Sequence, residues 1–384
     1  MTMDIVPLQV ATDIGPSWKL TWDIPNWPNR HYHVDKTILQ DCGQEARKAL
    51  QHLIDEAQAK NPLGPPLKNL ARAGAELRDA IFLGAGQEAA EAEFVREQLP
   101  PEIGLWHLLI TLDERIYIPW GLAYDGDPDL LPDSPAQILP QLYQGFWCLK
   151  YSVCTLHSVL DPRGLLKPRN NDEVQMLRII NKSCWDAAEQ AVPDGEKAFF
   201  NGVWKRSQAP ITTSEEFFKA WKQWHNDLDL LYLYCHANGT KLALSGTDEI
   251  STTKFLMNVR HDAHHTRPVC LVFLNGCQTA IGADRGGFME ATGNTGFCGF
   301  IGTEAKIPDL FAMRFAADFF GHLLYGGMTV VEIMDKLRHQ HFPLSLVYSA
   351  CCHPQFRIKR AKSAPAALPT RNLSYEPLQA ARLL

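Results

Sequence analysis

The second half of the chain alternates between short continuous apolar runs and stretches with helical spacing. Leu230 to Cys235 reads LLYLYC and Val269 to Leu274 reads VCLVFL, with further runs from Phe297 to Ile301 and from Leu344 to Ala350. Short apolar runs set between polar or glycine-containing segments predict strands buried on both faces. Helices are predicted near 251–264, over 310–325 from Phe311, Phe315, Phe319 and Leu323, and over 329–338 from Val330, Ile333, Met334 and Leu337. Apolar strands alternating with amphipathic helices imply an α/β layered sandwich, a mainly parallel sheet with helices on both faces.

The first half is less regular. Its first 35 or so residues mix Trp18, Trp22 and Trp27 with Pro16, Pro25 and Pro28, a strand-and-loop pattern. Residues 40–58 and 66–80 have the spacing and composition of helices with one buried face. Leu105–Leu112 and Ile116–Ile118, flanking Asp113-Glu114-Arg115, predict a hairpin; 125–140, rich in proline and aspartate, predicts a surface loop; Gly145–Leu156 predicts a strand. The stripe Val174, Leu177, Ile180, Cys184, Ala187 predicts a helix over 172–190, capped by Asn171 or Asp172. A second helix over 214–228 has a capping box from Thr212 and Glu215. From Gln355 onward, basic residues and prolines without periodicity predict a surface extension.

Composition narrows the function classes. The 384 residues are 46% hydrophobic and 21% charged with a net charge of −6, which describes a globular protein and gives nucleic acid no basic face to bind. The N-terminus has Asp4 and lacks both a basic and a continuous apolar region, and no stretch reaches the length of a membrane span, so a cytosolic protein is expected. The ten cysteines include no CxxC pair, and are expected to be reduced thiols rather than zinc ligands. Cys351, Cys352 and His353 are consecutive, so on a strand they cannot converge on one ion. His31, His33, His264 and His265 lack partners at ligand spacing and read as surface residues; no metal or cofactor is implied.

Reactive side chains collect after two strands. LLYLYC is followed at once by His236-Ala237-Asn238-Gly239, and VCLVFL by Asn275-Gly276-Cys277-Gln278-Thr279. In a parallel sheet, the loops after the strands converge on one crevice, so neighbouring strands would bring His236 and Cys277 together. A thiol needs that partner: an imidazole raises its thiolate fraction and later protonates the departing amine. The backbone N–H groups of Ala237 and Cys277 are the expected oxyanion hole, and Gly239 and Gly276 allow the turns to bend.

The sequence resembles the CHAT family of bacterial caspase-like peptidases between about 105 and 352. The resemblance is carried by IPWGLAYD (118–125), YCHANG (234–239), VFLNGCQTA (272–280) and the stretch GFCGFIGTEAKIPDLFAMRFAADFF after them. It implies a caspase-haemoglobinase fold and a thiol peptidase whose dyad is His236 and Cys277. Two positions depart from the family pattern: Ala237 stands where glycine is common, and Gly121 where an acidic residue is common. The implied organisation is an N-terminal segment with helices (1–100), a peptidase domain (101–355) and a C-terminal extension (356–384). The segment 281–296 reads as a mobile loop at the active site rather than a phosphate cradle, since no GK[ST] accompanies its glycines. Asp284, Arg285, Glu304 and Asp309 either line the pocket for the residue before the scissile bond or are solvated loop charges. Carboxylates there would select Arg or Lys, and Arg285 the opposite. The expected function is a regulated endopeptidase with a protein substrate and an activating partner, serving prokaryotic defence as relatives commonly do. The alternative is a catalytically silent scaffold that binds a partner protein.

Overall fold

A computed structural model describes residues 4–12, 17–24, 26–84, 86–99, 106–112, 117–157, 165–166, 174–205, 207–225, 227–238, 240–259, 270–280, 287–293 and 297–358. They form two compact units, one drawn from 1–158 and 338–347, the other from 159–337 and 348–376.

In chain order the first unit contains β1 (Asp4–Thr12), β2 (Ser17–Trp22), β3 (Arg30–Asp35), α1 (Lys36–Gln58), α2 (Gly64–Ile81), α3 (Ala89–Gln98), β4 (Trp106–Leu112), α4 (Pro135–Gly145), the single turn α5 (Trp147–Lys150) and β5 (Cys154–His157). The strand order is β3-β2-β1-β4-β5, with β1, β4 and β5 parallel and the first two pairings antiparallel. β1 and β4 lie on either side of residue 100 and pair with each other within this unit. Asp35 caps α1, accepting from the N–H groups of Thr37 (2.8 Å) and Ile38 (3.0 Å).

The motif IPWGLAYD turns out to be a structural plug in this unit. Trp120 is buried in a 3-10 turn, and Gly121 lies where a Cβ would sit 2.8 Å from that of Cys148, which accounts for the absence of an acidic side chain there. Asp125 accepts from Trp147 Nε1 (2.7 Å), Lys150 Nζ (2.6 Å) and Tyr151 Oη (2.9 Å), tying the motif to α5. Replacing Asp125 with alanine leaves the ammonium of Lys150, whose side chain is only 11% exposed, without its carboxylate. The expected cost is about 2 kcal/mol, read as a lower urea midpoint at unchanged slope.

The second unit contains β6 (Leu165–Leu166), β7 (Met176–Ile180), α6 (Lys182–Ala191), α7 (Asp194–Trp204), α8 (Ser214–Trp224), β8 (Leu230–Tyr234), β9 (His236–Ala237), β10 (Lys241–Ser245), β11 (Asp248–Ser251), α9 (Thr252–Val259), β12 (Leu271–Asn275), α10 (Phe288–Gly293), β13 (Gly299–Thr303), α11 (Asp309–Gly321), α12 (Val330–Gln340), β14 (Tyr348–Cys352) and β15 (Arg357–Ile358). The strand order β14-β13-β12-β8-β7 is parallel except for β14. Every residue of β8 and β12 is buried, so both sheet faces are covered, as the unbroken apolar runs require. On one face Tyr232 and Phe273 sit side by side in register and pack on Trp204 of α7 and Phe320 of α11. A separate aromatic cluster joins Phe217, Trp221, Phe255, Phe288 and Phe297 around α8, α9 and α10.

Several local expectations are corrected. The stripe at 172–190 is not one helix: Met176–Ile180 is strand β7, hydrogen-bonded to β8, and Asn181 begins α6 by accepting from the N–H of Cys184 (3.2 Å). Its i, i+3 spacing is accidental, because both faces of β7 carry buried apolar residues. Tyr117 and Ile118 form no hairpin with β4, whose two edges are already taken by parallel β1 and β5. Gly145–Leu156 is mostly not strand, since residues 147–150 turn as α5 to meet Asp125. Residues 135–140 of the expected loop are helical, with Pro135 opening α4 where its missing N–H costs nothing. The cap of α8 is one residue later than expected: Thr213 Oγ1 accepts from Glu216 N (3.3 Å), while Glu216 accepts from Thr212 N. Residues 359–384, the bulk of the basic extension, lie outside the described residues.

Candidate functional site

Parallel pairing of β8 with β12 runs from Leu230 opposite Leu271 to Tyr234 opposite Asn275. His236 and Cys277 each lie two residues beyond that last pair, so the sheet delivers both to the same end at equal height. The spacing of 41 residues between them is therefore the register offset of the two strands. The N–H of Cys235 still reaches Asn275 O at 3.4 Å, keeping the loops adjacent as they leave the sheet. Gly276 is required here: a Cβ would fall 2.7 Å from Cys235 O and 3.0 Å from Ala237 Cβ.

His236 is held by a second, small sheet. β9 pairs antiparallel with β10, placing His236 opposite Ala243 and Ala237 opposite Leu242. Asn238 Oδ1 accepts from Lys241 N (3.0 Å) and closes the turn between them. Buried Asn181 fastens this assembly to α6: its N–H donates to Tyr234 O (2.7 Å) and its Nδ2 to Ala243 O (3.1 Å).

The Cys277 loop is fixed by the polar residues around it. Asn275 is 2% exposed; its Nδ2 donates to Tyr232 Oη (3.1 Å) and Ala312 O (2.8 Å), and its Oδ1 accepts from Tyr348 Oη (2.8 Å). Thr279 Oγ1 donates to Leu274 O (2.9 Å) and accepts from Thr303 N (3.0 Å), and Thr303 Oγ1 donates to Gly276 O. Gln278 adopts a left-handed φ of 58° and donates its N–H to Ala305 O (3.2 Å), so the chain turns sharply just after the thiol. The motif NGCQTA is thus a strand end, a close approach, the thiol, a turn and a clamp in succession.

The Cys277 sulfur is half-buried, and that burial pushes its thiol above the ordinary range. Against it work the backbone N–H groups of Ile307 and Ala237 and the charge of Lys306; Asp309 acts with burial. Ala237 thus keeps the N–H contribution to the thiol although it is not glycine. Asp309, the first residue of α11, is exposed at the rim yet packed closely enough on one side that desolvation raises its carboxyl, with His236 and Tyr234 opposing the rise. A second sulfur enters from α6: Cys184 Sγ lies 3.0 Å from His236 Nε2. Burial, then Asp309 and Cys277, push the Cys184 thiol up to about 11, with Ser183 acting in the other direction.

His236, Ala237, Cys277 and Asp309 thus come together. Glu304 is buried and accepts from Ser349 Oγ (2.5 Å). Asp284, Arg285, Gly239, His264 and His265 lie outside the described residues. His33 pairs with Glu88 (3.0 Å) in the first unit, remote in sequence from the dyad. Sequence reasoning missed Cys184, Asn275 and the Ile307 N–H. For Cys184 the signal was Asn181, a capping residue directly after an apolar run, concealed by reading both as one helix.

No protein-family model matches the sequence, and no curated protein matches it. Among solved structures the chain is similar to separase in two crystal structures of the Saccharomyces cerevisiae separase–securin complex, with TM-scores of 0.53 at 9% identity and 0.51 at 11% identity. Each alignment covers 93% of this chain and 30% of the other, so the chain spans under a third of the length of those proteins. At such identity the likeness is one of fold. The chain has a caspase-like α/β fold, in which His236 and Cys277 leave neighbouring parallel strands at the same sheet end.

Proposed function

We propose that the protein is a cysteine endopeptidase with Cys277 as nucleophile and His236 as acid and base. The observation that carries this reading is the shared register of β8 and β12, which brings His236 and Cys277 to the same sheet end. In the reaction, the Cys277 thiolate attacks the scissile carbonyl carbon and the oxygen takes up negative charge beside the N–H groups of Ala237 and Cys277. The C–N bond breaks as the amine takes a proton from His236, leaving a thioester on Cys277. Water then attacks the thioester, losing a proton to His236, and the thiol is released. The caspase-like fold is one used by cysteine proteases, which supports the assignment. The test is incubation with a proteome and identification of new peptide termini: termini produced by the wild type and absent with Cys277→Ala support it, and identical termini in both reject it.

Among the described candidates, Asp309 is the exposed carboxylate beside His236 and Cys277, and as part of the pocket for the residue before the cut it would favour Arg or Lys. Asp309→Asn is expected to lower kcat/KM for a basic residue about tenfold, with little change for a neutral one. Because its folded-state carboxyl is raised, the charge is lost at a higher pH than for a free aspartate. The preference for Arg or Lys should fade as pH falls through that raised value, measured with paired peptides differing at this position. The same sign means that folding favours the protonated carboxyl, so its stabilising contribution is present in acid and lost as pH rises through the raised value.

The finer role follows the resemblance: an effector in prokaryotic defence, switched on by a partner. The raised Cys277 thiol fits an enzyme at rest before activation. It equally favours the second reading, a silent scaffold that binds a partner, and the separase of the similar structures is itself in complex with securin. The proteome comparison separates the two readings, since a scaffold yields no new termini.

A further inference from the structure

His236 has two ring nitrogens, and the peptidase reading needs one of them to exchange protons with Cys277 and the departing amine. Nε2 is already engaged, 3.0 Å from the sulfur of Cys184. That sulfur is placed by a built arrangement. Asn181 caps α6 through the N–H of Cys184, and the same side chain binds Ala243 O, opposite His236 in the small sheet. One buried asparagine therefore fixes both partners of the contact. Cys184 is 5% exposed, whereas His236 itself is exposed, so the sulfur approaches the ring from its protein side.

We propose that Cys184 is a positioning residue for His236: its sulfur accepts the Nε2–H, holding the tautomer that leaves the Nδ1 lone pair for proton transfer. The inference rests on the peptidase reading for its consequence, though not for the contact itself. Nε2–H remains bonded to the sulfur in both the imidazole and the imidazolium, so Nδ1 alone gains and loses a proton through acylation and deacylation. Without the sulfur, Nε2 and Nδ1 compete for the proton and part of the population carries it on the wrong nitrogen. At neutral pH Cys184 is an uncharged thiol and acts through direction rather than charge. Among the described residues, the charged and titratable groups coupled to this cluster are Asp309 of α11, which acts on His236, Cys184 and Cys277, Lys306, which acts on Cys277, and the buried Tyr234, Cys235 and Tyr348.

The test combines two readouts on the full chain. Side-chain 15N shifts of His236, in protein labelled at histidine and assigned by His236→Gln, report tautomer and titration without requiring catalysis. The wild type should show predominantly Nε2–H in the neutral form; Cys184→Ala should show a mixed tautomer, and Cys184→Ser should recover most of the wild-type pattern because a hydroxyl also accepts. Peptide cleavage should fall about tenfold in kcat with KM nearly unchanged in Cys184→Ala, recovering in Cys184→Ser. An unchanged His236 tautomer and titration in folded Cys184→Ala would overturn the positioning role even if cleavage is normal. A changed tautomer in a protein that never cleaves peptide would uphold the contact and reject the peptidase reading.

Discussion

Cys277→Ala is expected to reduce peptide cleavage by about a thousandfold or more while leaving the fold intact. The loss is large because no neighbouring group can replace the attacking sulfur. Cys235 is buried and its thiol is pushed far up by that burial, and Cys184 is buried too, with its sulfur against His236 Nε2 and its thiol also pushed up. The fold survives because Cys277 is only half-buried, and the Ala237 and Ile307 N–H groups that it accepts from lie at the crevice, where water can take its place. His236→Ala should cost nearly as much in kcat, and the double variant little more than either single one, since the two groups act as a unit. Steady-state kinetics on a peptide drawn from the proteome cleavage sites checks all three; additive losses would mean that the residues work separately.

Asn275→Ala is expected to have the largest effect on stability. The change removes a partner that three buried groups share: the hydroxyls of Tyr232 and Tyr348 and the carbonyl of Ala312. Both tyrosines are essentially inaccessible, so water cannot enter to satisfy them. Losing these three bonds, together with the small cavity, costs about 3 kcal/mol. For a unit of this size that is a fall of about 8 °C in Tm, measured by calorimetry. Activity should fall further than stability accounts for at temperatures where the variant is folded, because Asn275 also ends β12 two residues before the thiol. A variant with normal Tm would show that the network is dispensable.

The same residues explain what could be read from the sequence. Strands β8, β12 and β13 were legible because a sheet covered on both faces demands unbroken apolar runs, and the placement of His236 and Cys277 at one sheet end was legible because each lies just past such a run. β7 was not, since its Met, Leu and Ile residues continue smoothly into α6 and produce a false helical stripe across Asn181. The fastening of the site was hidden for a different reason. Asn275, Thr279 and Asn181 are ordinary polar residues whose importance comes from what the fold brings to them: Tyr348 is 73 positions from Asn275, and Ala243 is 62 from Asn181. Cys184 was hidden in the same way, 52 positions from His236. Glu304 is a related case: the sequence left it as a pocket or solvated loop charge, and the fold buries it against Ser349, 45 positions away.

An electrophilic peptide trap tests the central pairing most directly. A peptidyl acyloxymethyl ketone ending in arginine, followed by mass-spectrometric mapping of all ten cysteines, should modify Cys277 selectively, and His236→Ala should suppress that modification while leaving the other thiols unaltered. Modification of Cys277 at the same rate with and without the imidazole, or selective modification of another cysteine, would contradict the account.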